Sequence, residues 1–170
     1  MAIVIKKPDA VFVQNSYMLY NAVKNEDLPA ANGHYGVNDV VWNDLIDLTR
    51  TKCRAMNIPL PGGDMMSGLC IWASVVATKF CVLRNHALNS HMFFAERNGD
   101  GSGSNHYFVV SDIGGTKVIC DITCNQFNGA PDYLVGRLSD IKGASKKVTA
   151  LGSRLYDVYK AGAASSEFVI

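Results

Sequence analysis

Three side chains of this sequence have the types and order needed for nucleophilic acyl chemistry: Cys70, His106 and Asp121. Cys70 heads an apolar stretch, Leu69 to Leu83, that reads as a helix with Ser67 as its N-cap. A thiol in the first turn of a helix feels the positive end of the macrodipole and nearby unpaired N–H groups, and both favour the thiolate. Its own backbone N–H would point out of the helix end, where it can hold an oxyanion. The competing reading is a small residue packed in a hydrophobic helix, the commoner fate of a lone cysteine.

His106 and Asp121 shift that balance. They sit in two runs rich in Val, Ile and Phe, His106 to Ser111 and Lys117 to Thr123, on either side of the turn signal Asp112-Ile113-Gly114-Gly115-Thr116. A two-residue loop at Ile113-Gly114 or Gly114-Gly115 puts both side chains on one face, directly opposite or one diagonal apart. A three- or five-residue loop would send them to opposite faces. On a shared face the carboxylate can hold one imidazole nitrogen and leave the other to meet a thiol. The alternative is a solvent-facing histidine beside a strand-end aspartate.

The elements that must position these residues follow from hydrophobic spacing. A helix-like stretch around Asn15 to Lys24 precedes a loop through Pro29 and Gly33. From Asn38 to Met56 apolar residues fall mostly at helical spacing, with Asn38 or Asp39 as cap, and Pro59-Leu60-Pro61-Gly62-Gly63 ends the pattern. Leu69 to Leu83 is apolar on almost every face, as expected of a helix at the centre of a domain. Three strands are expected at His91 to Arg97, His106 to Ser111 and Lys117 to Thr123. A short apolar run, Tyr133 to Val135, and a final helix near Lys146 to Tyr159 complete the chain. Helices, then an antiparallel meander, then a helical tail make an α+β pattern.

Composition narrows the function classes. The 170 residues are 48% hydrophobic and 18% charged, with a net charge of +1. Such a chain suits one domain spanning 1–170 and lacks the basic patch of a nucleic-acid binder. No apolar run approaches the length of a membrane span, and the opening MAIVIKKPD places its lysines after the apolar residues, the wrong order for a signal peptide. The five cysteines, Cys53, Cys70, Cys81, Cys120 and Cys124, are odd in number and include no CxxC pair, so neither a disulfide framework nor a zinc site is expected. No metal or other cofactor is called for. The segment Asn98 to Ser104 lacks the Gly-Lys-Ser/Thr ending of a phosphate loop, and Asp100 alone makes no calcium site. His86 and His91 have no acidic strand partner, His34 sits in a glycine-bordered loop, and Trp72, about 200° around the helix from Cys70, belongs with the core.

The same residues resemble a family. GLCIWAS, from Gly68 to Ser74, looks like the cysteine-bearing helix start of the papain and transglutaminase-like superfamily. SNHYFVVSD supplies the histidine strand, and CDITCNQF, from Cys120 to Phe127, resembles the Asp-x-Thr-x-x-Gln-Phe segment of papain-fold toxin domains. The spacing of 36 residues from Cys70 to His106 and 15 to Asp121 is similar to that of the glutamine deamidase domain of dermonecrotic toxins and related bacterial effectors. The likeness covers about Gly68 to Val135. It implies a papain-like core with the nucleophile at a central helix N-terminus packed on an antiparallel sheet. It further implies Cys70 as nucleophile, His106 as base then acid, Asp121 as orienter, and Gln126 with the Cys70 N–H as the oxyanion hole. Ile122 stands where many relatives have proline, and the glutamine that precedes the cysteine in papain-type proteases has no counterpart, Gln14 being distant. The implied activity is deamidation of a glutamine on a target protein, such as a host signalling protein, by a monomeric secreted effector working in a reducing cytosol. Proteolysis, cell-wall peptide cleavage, transglutamination and a non-catalytic binding role on the same fold are the alternatives.

Overall fold

The computed structural model describes residues 3–6, 10–62, 68–97, 105–127, 129–143 and 154–164. A short strand, β1 (Ile3–Lys6), is followed by helices α1 (Ala10–Ala22), α2 (Asp39–Ala55) and α3 (Cys70–Arg84). Then come strands β2 (Ser90–Arg97), β3 (Asn105–Ile113), β4 (Thr116–Asp121) and β5 (Leu134–Arg137), and helices α4 (Leu138–Ile141) and α5 (Leu155–Ala164). The five strands form one antiparallel sheet in the order β1-β2-β3-β4-β5. The fold is α+β. Among the described residues no helix is long and apolar enough to cross a membrane.

The sheet carries a core on each face because its strands alternate apolar side chains in both directions. Met92, Tyr107, Val109, Cys120 and Ile122 pack with α1, α2 and α3. Phe93, Ala95, Phe108, Val110, Ile119 and Leu134 pack with Leu155, Val158 and Tyr159 of α5. This two-sided burial explains α3. It is enclosed between the other helices and the sheet, so Ala73 to Thr78, Phe80 and Cys81 are all buried. The Thr78 hydroxyl survives there by donating to the Ser74 carbonyl at 2.8 Å. At its far end Arg84 donates to the carbonyls of Asn25, Leu28 and Pro29, tying α3 to the chain that leaves α1.

Several element ends differ from the sequence expectation for identifiable reasons. Asn38 does cap α2, accepting from Val41 N–H at 2.9 Å. The cap of α3 is instead Leu69, with no side-chain hydrogen bond, directly after Gly68 at φ +86°; Ser67 lies outside the described residues. The last helix spans Leu155–Ala164 in place of Lys146 to Tyr159, and 144–153 lie outside the described residues. So does the glycine-rich segment 98–104. The hairpin closes with Ile113 paired to Thr116, leaving Gly114-Gly115 as the loop at φ +60° and +82°. Two consecutive positive φ values are what a type I′ turn needs, and glycine supplies them without steric cost.

Close packing of α5 on the sheet depends on Gly162. A Cβ there would fall 2.7 Å from Phe108 Cε2, well inside contact distance. Helix propensity favours alanine over glycine by about 1 kcal/mol, whereas overpacking a core costs about 1–3 kcal/mol. Gly162→Ala is therefore expected to lose about 1 kcal/mol of stability, read as a lower urea midpoint at unchanged slope.

Candidate functional site

Cys70 is the first residue of α3, His106 the second of β3 and Asp121 the last of β4, so each stands at the end of its element. Because β3 and β4 are antiparallel, the start of one and the end of the other fall at the same end of the sheet. Extending the pairing Val109↔Cys120 by one step sets Asp121 opposite Phe108, with His106 one diagonal further. The shared face expected for a two-residue loop is the one found. Across β2 the partner of His106 is Ala95, whose small side chain leaves room for the ring.

His106 Nε2 lies 2.6 Å from Asp121 Oδ2, with both side chains excluded from solvent. The carboxylate has two further donors. Thr123 N–H reaches Oδ1 at 3.0 Å, the local turn that aspartate makes with the residue two ahead, and Tyr159 O–H reaches Oδ2 at 2.5 Å. The imidazole is edge-on to Phe127 at 4.8 Å between centroids and stacked over Phe108 at 6.2 Å.

The Cys70 thiol lies near enough to His106 to act on the imidazole. It belongs to the α3-side core, whereas the His106–Asp121 pair borders the α5-side core. The two can meet because all three residues lie at element ends, where the sheet no longer separates its faces. Asp121 occupies Nε2, which leaves Nδ1, and there the Gln126 Nε2 is found at 2.8 Å. The same Gln126 nitrogen also donates to the Thr123 carbonyl at 3.2 Å. Gln126 is thus turned to the imidazole, a station that its expected place in an oxyanion hole did not anticipate.

Burial alone would push the His106 imidazole down. The charge and hydrogen bond of Asp121, followed by the nearby Cys70, outweigh it and push the imidazole up to about 10. Among the other thiols, Cys81 is pushed down by its hydrogen bond with Cys120. Burial pushes Cys53 up to about 11 and Cys124 well above its ordinary range. Cys120 is also raised, by its hydrogen bond with Cys81 and by burial. All five cysteines are free. Among the described residues no group of three His, Cys, Asp or Glu is arranged to hold a metal.

The other sequence candidates lie elsewhere. His34 is exposed and sits 3.6 Å from Asp140, His86 is exposed at φ +54°, and His91 is edge-on to Phe93. Trp72 packs against the α3-side core. Tyr159 escaped the sequence reading. Its only signal was an aromatic residue in a terminal helix, and nothing local ties it to an aspartate 38 residues earlier. Trp42, within the apolar spacing of α2, donates its Nε1–H to the Ile122 carbonyl at 2.9 Å, fixing the chain just after Asp121.

No family model, curated protein or solved structure matches this chain.

A raised imidazole has a stability consequence. The stabilisation from its extra proton affinity is fully present below the unfolded value near 6.5 and is lost as pH rises through about 10. The stability gap between the wild type and His106→Gln, from urea titrations across that range, is expected to narrow as pH rises. A gap independent of pH would mean that the imidazole folds uncharged.

Proposed function

We propose that the protein is a cysteine-dependent amide hydrolase, with Cys70 as nucleophile, His106 as acid and base, and Asp121 as the group that orients the imidazole. The observation that carries this reading is the buried hydrogen bond of His106 to Asp121, with the Cys70 thiol near the imidazole at a helix N-terminus. The raised imidazole suits His106 to take up a proton and hold it for a leaving group. The first N–H groups of α3 have no intrahelical acceptor and receive no side-chain cap from Leu69, which suits them to an oxyanion. The papain-like comparison made from sequence motifs is part of this proposal.

The chemistry closes on these residues. The Cys70 thiol passes its proton to His106 Nδ1 as the sulfur adds to the amide carbonyl, and the negative oxygen is held by the Cys70 N–H. His106 gives its Nδ1 proton to the leaving nitrogen, the C–N bond breaks and the amine departs. Nδ1 then takes a proton from water, whose oxygen attacks the thioester and releases the acid. Gln126 fits two stations in this cycle. It can donate to Nδ1 while the imidazole is neutral, and it must leave when Nδ1 carries a proton, which frees its N–H for the oxyanion.

Cys70 is only 4% exposed, so a substrate meets little of it directly. A protruding side-chain amide meets that condition better than a main-chain peptide bond. We therefore favour glutamine deamidation of a target protein over peptide cleavage. Five free thiols are in keeping with work in a reducing compartment, such as the cytosol of a target cell reached by a secreted effector.

Cys70→Ala and His106→Ala are expected to abolish activity without unfolding the protein, and Asp121→Ala to retain more than either. Mass spectrometry of proteins treated with the enzyme separates the chemistries. A gain of about 1 Da at a glutamine, one N–H exchanged for O in the acyl transfer, marks deamidation; new termini mark proteolysis. A Cys70→Ala protein as active as the wild type would remove the assignment.

A further inference from the structure

We propose that Tyr159 is a positioning residue that acts on His106 through Asp121. The inference rests on the proposed catalytic pair. Tyr159 reaches the carboxylate from α5, across a different core from the one that holds Cys70. Its hydroxyl donates to Oδ2, the same oxygen that faces His106 Nε2. Two donors on one oxygen compete for its charge, so the phenol weakens the pull of the carboxylate on the Nε2–H. It also fixes the carboxylate plane, since Thr123 N–H holds the other oxygen. Burial, followed by the neighbouring Asp121 charge, pushes the phenol well above its ordinary range, so it stays a donor throughout the working pH. The titratable groups around the pair are Cys70 from α3, Cys124 from the turn after β4 and Tyr159 itself, with Cys120 on the opposite face of β4.

Tyr159→Phe removes one oxygen and keeps the ring, which stands edge-on to Phe108 at 5.1 Å. With one donor gone, the carboxylate binds the imidazolium more strongly. The His106 titration, followed by the ring nitrogens in NMR of labelled protein, is expected to move up by about one pH unit. Global replacement of tyrosine by 3-fluorotyrosine, a stronger donor, is expected to move it down, and to do nothing in the Tyr159→Phe background. The fluorinated protein carries the test if the Phe variant fails to fold. An unchanged His106 midpoint in the Phe variant, or a fluorine effect that persists without Tyr159, would reduce Tyr159 to a space-filling ring.

The catalytic reading is judged separately, by the rate of Cys70 alkylation with iodoacetamide in wild type and His106→Gln. Equal rates would overturn that reading, and with it the catalytic meaning of Tyr159, whatever the NMR titration shows. A slower His106→Gln rate together with an immobile midpoint would overturn the Tyr159 proposal alone.

Discussion

The arrangement depends on one buried charge. A carboxylate removed from water loses solvation worth several kcal/mol and can persist only where donors replace the water. Asp121 finds three: a ring nitrogen of β3, a backbone N–H of the turn that follows β4, and a phenol of α5. Each comes from a different element. Satisfying this one side chain therefore specifies how the hairpin, the turn and the C-terminal helix assemble. Partial satisfaction would be worse than an apolar residue at the same place, because low dielectric magnifies any unpaired group.

The same constraint explains why the candidate site lies at the sheet's end. In mid-strand, residues of opposite faces are separated by the backbone ladder. At the termini of β3 and β4 and at the first turn of α3 that barrier is absent, and a thiol rooted in one core can meet an imidazole that borders the other. Segment 120–127 concentrates the contacts: Asp121, Thr123, Gln126 and Phe127 all touch His106 or its carboxylate partner. A compact stretch of sequence thus builds most of the environment of a histidine that is remote from it along the chain.

What was legible in the sequence was what local periodicity encodes. The spacing of Val41, Leu45 and Ile46 marks α2, and Asn38 announces its start. The glycine pair between two β-rich runs implied a short loop, and strand parity then put His106 and Asp121 on one face. Illegible features were those whose partners lie far away. β1 is four residues long and pairs with a strand about 90 positions later, so no local pattern distinguishes it. The start of α3 follows the positive φ of Gly68, which composition does not reveal. The orientation of Gln126 and the contact of Tyr159 with Asp121 are decided by tertiary packing, to which spacing is blind.

The two-glycine hairpin loop has a consequence for how this protein can vary over time. Substitution within the loop alters only turn preference, a modest and local effect. A single inserted residue there, unless absorbed as a bulge, would carry every β4 side chain to the other side of the sheet. Asp121 would then enter the α3-side core while Cys120 took its place beside α5. The loop should therefore accept many spellings but resist changes of length, a pattern opposite to that of ordinary surface connections, where insertions are the variation most easily tolerated.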